Sequence, residues 1–335
     1  MMRTLSPVLM AVTAILCTLT ALPAMAQKRM KLGTAAPTGS SFHRILEEMG
    51  TEWKQQGIDL KMYAGGIRGG EAQMVREMRG GALDLCLISA IGLSEIDPTV
   101  EALQSIPLLF RSLDEFDFVA MRLQPKLAQR LRAKGFVVLF WADAGWVRFF
   151  STKPVTRPDD LRRLKLFTWA GDVLAVDLYT KNQFKPVVLE TEDILPSLKT
   201  GMIEAVPMPP YMALMTQVYR DAPYMLDLNW APLAGALVVT ESSWNRLDAA
   251  TQRELARAAG EAGTRMKATN RRESDAAVAA MTKRGLKTTS VPIAALSEWR
   301  ATAERTYPAL REKKITPELF DEITRLIVEY RHARP

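Results

Sequence analysis

Cysteine and histidine are scarce in this chain, with two of each among 335 residues. Cys17 sits in an apolar N-terminal stretch, which leaves Cys86 as the one thiol beyond it and excludes an intramolecular disulfide there. Its neighbours in "LDLCLIS" are apolar, so Cys86 reads as a small buried strand residue and not as a nucleophile. His332 lies close to the C-terminus and reads as solvated, and His43 falls in the first turn of a helix. No spacing of His, Cys, Asp and Glu resembles a zinc site, and HExxH and GxSxG are both missing. "AGGIRGGE" is rich in glycine, yet it lacks the Lys-Ser/Thr ending of a P-loop and does not match GxGxxG. Without a positioned base, nucleophile, metal or phosphate cradle, neither catalysis nor a cofactor is expected. The charge is +7, from 44 Lys and Arg against 37 Asp and Glu, and it is scattered in patches such as "QKRMK" and "REKK". No basic stripe is interleaved with aromatics, so nucleic acid is not an expected partner.

Long apolar runs are missing too, with one exception at the start. "MMRT" carries an arginine, "LSPVLMAVTAILCTLTALP" is uncharged, and "AMA" ends at Ala26. A charged start, an apolar middle and a small-residue end have the form of a cleavable secretory signal. Its removal would take 26 of the 335 residues and leave 309, with no later segment apolar over a bilayer-spanning length. An exported chain without disulfides suits a bacterial periplasm.

The remainder alternates short apolar strands with amphipathic helices. "RMKLGTA", "IDLKMYAGG" and "LDLCLIS" read as strands, separated by helices such as Phe42, Ile45, Leu46, Met49 and Trp53, whose spacing follows one helical face. A second set follows, with "FVVLFWADAG", "RFFSTKPV", "LKLFTW", "FKPVVLE" and "MIEAVPMP" as strands. Two β-α-β-α-β sets imply two α/β lobes with ligands at the carboxyl ends of their strands. From Asp248 to Gly285 the chain is rich in alanine and charge and free of proline. It reads as one rod of roughly 50 Å bridging both lobes, or as two helices broken near Gly260 or Gly263. A cleft between two such lobes is a common solute-binding arrangement, closed by hinge motion.

Several stretches, in this order and spacing, resemble the solute-binding subunits of tripartite ATP-independent periplasmic (TRAP) transporters of the dicarboxylate-binding type. They are "LGTAAPTGSSFHRILEEMGTEW", "YAGGIRGGEAQMVREMRGGALDLCLIS", "IPLLFRSLDEF", "GWVRFFSTKPVTRPDDLRRLKLF" and "LKTGMIEAVPMPP". The resemblance implies an α/β, two-lobed periplasmic-binding fold with hinge crossovers, a long helix spanning both lobes, and an organic acid as solute. It also implies delivery to a small and a large integral membrane subunit, with the binding subunit expected to be a monomer. The division expected is a signal at 1–26, one lobe from 27–145 and 233–273, and the other from 146–232 and 274–335.

The family's acid anchor is an arginine in K-(I/L)-R, and in "LKLFTW" Phe167 stands in its place. Phenylalanine cannot make the bidentate pair with a carboxylate. Trp169, on the same strand face, extends an apolar wall. Two readings follow: Arg148, which matches the family's arginine after the hinge strand, takes the carboxylate, or the solute is essentially hydrophobic. The favoured expectation is an acid with a sizeable apolar or aromatic body, headed by Arg148 and covered by Phe167, Trp169 and Trp146. Further lining candidates are Ser41 and His43 at a helix start, Gly66, Ser89 and Ala90 at strand ends, Met208, Pro209 and Tyr211 in the apolar "PMPPY", and Trp230. Asp172 is expected to cap a helix or to meet a cation. Trp53, Trp141 and Trp299 are expected in the core.

Overall fold

The computed structural model describes residues 28–334, so the signal segment lies outside the described residues. Ten strands form, β1 (Lys28–Thr34), β2 (Ile58–Tyr63), β3 (Leu85–Ser89), β4 (Phe136–Ser151), β5 (Lys165–Trp169), β6 (Lys185–Leu189), β7 (Ala205–Met208), β8 (Tyr224–Asp227), β9 (Ala231–Thr240) and β10 (Lys287–Ser290). Their order is β2-β1-β3-β9-β4-β7-β5-β6, with β8 also on β4 and β10 on β8. β1, β2 and β3 are parallel, as are β5, β6 and β7, and each set meets an antiparallel crossover strand.

β4 is that crossover, and it joins the lobes without a break. Phe136–Val147 pairs with β9, and Arg148–Ser151 pairs with β7. The two strands expected here, "FVVLFWADAG" and "RFFSTKPV", are therefore one. Gly145 sits at a register shift between Asp143 and Trp146, with φ at +77°, so what looks like a terminator in sequence is a bulge within one strand.

Each lobe has its own core. In the first, Leu32, Leu46, Met49, Trp53 and Leu237 pack together, and in the second Phe150, Phe167, Val206 and Met225 do so. Trp299 is fully buried against Phe149 and Leu166, and Trp141 is partly buried on two clusters, as expected for core tryptophans. Cys86 is buried in β3.

Ala249–Thr282 is a single helix of 34 residues, roughly 50 Å long. Asp248 caps it, accepting from the Ala250 and Thr251 N–H groups at 3.0 and 2.9 Å. Its early turns place Leu255, Ala258, Ala262 and Met266 in the first lobe's core, and Met281 reaches the second's. Gly263 does not break the helix. A Cβ there would lie 2.7 Å from the Phe140 ring, so the glycine lets the rod settle on β4. The helix Leu113–Ala133 likewise runs through Pro125. The last helix, Pro317–Ala333, returns to the first lobe: Leu319, Ile323 and Leu326 pack on Phe116, Val119 and Leu123, and Arg331 donates to Glu115 at 2.6 Å. A lobe division at residue 274 therefore runs through this core.

Candidate functional site

The lobes meet at the start of the first helix. Ser41 N–H donates to the Tyr211 hydroxyl at 2.8 Å, and Ser41 Oγ donates to Glu273 on the long helix at 2.6 Å. Ser40, not Ser41, caps that helix by accepting from the His43 N–H. On the opposite rim, Gly70 meets Glu190 so closely that a Cβ would lie 2.2 Å from its carboxylate.

Between these contacts lies a gap. One part, about 90 Å³, is lined by Ala35, Pro37, Phe42, Ser89, Tyr211, Met212 and Met215, and a second, about 220 Å³, by Gly65, Gly66, Gly70, Thr191, Leu195 and Met208. Neither has lysine or arginine among its described lining residues. Two of the acids present, Glu71 and Asp143, are already engaged. Glu71 accepts from the Ser89 N–H at 2.8 Å and from the Gly92 N–H at 3.1 Å, and also from the Ser89 hydroxyl. Burial pushes its carboxyl above the usual range, against the pull of those donors. Asp143 is raised by burial as well, although Arg271 stands 3.6 Å away.

A second cavity, of about 110 Å³, sits where the crossover strands enter the second lobe. It is lined by Val147 and Ala231 of the crossover strands, by β5 and the helix Val173–Lys181, and by Thr302, Thr306, Leu310 and Lys314. Ile91, Gln104 and Ser105 close it from the first lobe. Its aromatic lining is Phe167, Trp169, Tyr179, Phe184 and Trp230. Phe167 and Trp169 meet edge to face with ring centroids 4.9 Å apart. Phe167 is fully buried and belongs chiefly to the core, while Trp169 is half-buried.

One end of this cavity carries charge. Lys314 Nζ donates to Asp172 Oδ1 at 2.6 Å and touches the Glu101 carboxylate. Glu101 also accepts from Ser105 at 2.9 Å. Asp172 fulfils both roles expected of it, since it also caps its helix by accepting from the Ala175 N–H at 3.1 Å. Burial pulls the Lys314 ammonium down to about 7 and pushes the Asp172 carboxyl up, while the contact between them favours the charged forms. The Thr168 hydroxyl, on the cavity wall, is buried with no hydrogen-bond partner.

The expected site residues thus divide. Phe167, Trp169 and Trp230 come together at the hinge cavity; Ser89 and Tyr211 line one part of the gap, and Gly66 and Met208 the other. Arg148 lines none of these. Its guanidinium lies 3.1 Å from Asp227 and donates to Asn229 at 3.2 Å. Trp146 packs on the cluster around Ala234, where Ala90 is buried too, and Pro209 is the buried residue before the helix Pro210–Met215. His43 faces Glu47 on its own helix, at 3.3 Å. Tyr179, Thr168, Gln104 and Lys314 were not anticipated. Among the described residues no cluster of His, Cys, Asp and Glu could hold a metal, and no helix is long and apolar enough to cross a membrane.

The family model for bacterial extracellular solute-binding protein, family 7, matches residues 32–314. The chain belongs to that family. It is a periplasmic solute-binding protein of the TRAP type, and the family consists of binding proteins that work with membrane subunits, not enzymes. A solute-binding protein of Chromohalobacter salexigens is 25% identical over 236 residues, 69% of each chain. Two solved TRAP periplasmic solute-binding proteins share the fold. One, from Haemophilus influenzae with bound L-gulonate, has a TM-score of 0.82 at 18% identity, covering 90% of this chain and 99% of the other. The second, from Ralstonia eutropha H16 with bound (S)-2-acetolactate, has a TM-score of 0.83 at 19% identity, covering 90% and 99%.

Proposed function

We propose that this chain captures an organic acid with a sizeable apolar or aromatic body between its lobes and delivers it, as a monomer, to the membrane subunits of a TRAP transporter. The observation that carries this reading is the hinge cavity, where Tyr179, Phe184 and Trp230 line a space closed by both lobes. Gulonate and acetolactate, bound by relatives of the same fold, are both carboxylates, which supports an acid head group. The apolar body is supported by Phe167 at the position where the family pattern has arginine. The reading uses lobes of 27–145 with 233–273 and 146–232 with 274–335, the terminal helix being packed back on the first.

An essentially hydrophobic solute is the second reading. It is favoured by the gap between Ala35 and Met215, whose lining has no cation, and by the engagement of Arg148 with Asp227.

A thermal-shift screen separates the two, because a ligand that binds only the folded state raises the melting temperature by mass action. The proposal expects aromatic and cyclic monocarboxylates to give the largest shifts. Shifts from uncharged aromatics alone would favour the second reading, and shifts from sugar acids or dicarboxylates alone would contradict both.

A further inference from the structure

We infer that Lys314, with the Thr168 hydroxyl as second donor, receives the solute's carboxylate in the hinge cavity, and that the body held there is a single ring of about benzene size. This rests on the reading above and names the anchor that the reading leaves open.

An ammonium has three N–H donors. Asp172 and Glu101 engage two of those of Lys314, whose side chain is 8% exposed and lines the cavity, and the third is available to a ligand. Thr168 is 2% exposed and its hydroxyl has no partner in the protein. A buried hydroxyl without a partner is costly, and an arriving carboxylate would satisfy it. Two donors, one charged and one neutral, thus line one cavity together with Tyr179, Phe184 and Trp230, while the Trp169 ring packs with Phe167 on the other face of the strand. Arg148 offers no such opening, since Asp227 and Asn229 engage it outside the cavity.

Size limits the body. An apolar cavity on the order of 150 Å³ holds benzene, so about 110 Å³ admits one ring after slight relaxation and excludes two. Charge sets a further condition. One lysine and two carboxylates carry a net negative charge when all are ionised, and a ligand anion adds another. Asp172, raised by burial and facing Lys314, Glu101 through that lysine, and Tyr179 on its own helix, is the group placed to take up a proton. Binding of the acid should therefore tighten as pH falls toward the raised Asp172 range.

The test is calorimetric titration of the protein lacking residues 1–26 with benzoate, with benzylamine as the probe of reversed charge and gluconate as the aliphatic hydroxy acid. The expected result is benzoate binding that weakens at least tenfold in Lys314→Met and roughly three- to tenfold in Thr168→Val, and stays within about twofold in Arg148→Ala. Should Lys314→Met fail to fold, Thr168→Val, which keeps the shape of the wall, decides together with Arg148→Ala. Benzoate binding that survives Lys314→Met or Thr168→Val but is lost in Arg148→Ala overturns this inference and leaves the proposed function standing. Gluconate binding to the wild type without any benzoate binding overturns both. Tighter binding of benzylamine than of benzoate also overturns the inference, because the carboxylates would then be the receiving groups.

Discussion

The gap at the ends of β1 and β3 and the cavity at the hinge are only a few residues apart along the crossover strands, yet they are built from different chemistry. The gap is lined largely by alanine, proline, glycine and methionine, with Phe42 and Tyr211 as its rings, and two of its acids, Glu71 and Asp143, are bound to backbone N–H groups. The hinge cavity is lined by aromatic rings, and its charged groups, Asp172 and Lys314, together with Glu101 paired to that lysine, come from three distant segments. Small and flexible side chains let two surfaces slide and part, whereas rigid rings around a fixed ion cluster select what lies between them. The contrast assigns closure to the gap and recognition to the hinge.

That division can be attacked at several points. The largest effect is expected from Lys314→Met, which leaves two buried carboxylates without their cation; chemical denaturation should show a loss of about 3–5 kcal/mol, the range for breaking a buried pair from one side. If recognition lies at the hinge, Trp230→Ala should weaken binding of ring acids about tenfold and lower stability by about 1–2 kcal/mol, since the ring is half-buried. An equal loss from Met212→Ala in the gap would erase the distinction. Glu71 offers a test by pH. Its folded carboxyl is raised by burial, with Glu190 adding a smaller upward push. Between the ordinary carboxyl range and that raised value the folded chain holds a proton the unfolded chain has lost, so stability falls as pH rises through that window. Glu71→Gln should flatten that slope in urea denaturation at pH 5 and pH 8 while leaving ring-acid affinity unchanged. The smallest effect is expected from Arg148→Ala: Asp227 is largely exposed, and such pairs contribute no more than about 1 kcal/mol.

Much of the fold was readable because periodicity is local. The stripe from Phe42 to Trp53, the buried run around Cys86 and the alanine-rich rod each declare their element within a few residues. β4 was misread as two strands because Gly145 carries a local signal for termination, and only its partners on β9 show that pairing continues across it. Gly263 was ambiguous for the same reason, since the Phe140 ring it accommodates lies far away in sequence. Phe167, Trp169 and Trp230 could be named because bulky rings at strand ends stand out by type. Lys314 could not. It lies in "REKKIT", a charged run that reads as solvated, and it meets its partner Asp172 from 142 positions away in sequence. Thr168 gave no signal either, because an unpartnered hydroxyl is a property of packing and not of sequence.

The most direct test of hinge recognition is a crystal structure of the protein with benzoate bound. The ring is predicted against Tyr179 and Trp230, with a carboxylate oxygen within hydrogen-bond distance of Lys314 Nζ and of Thr168 Oγ1. A carboxylate found instead on Arg148, with Asp227 displaced and the hinge cavity vacant, would contradict it.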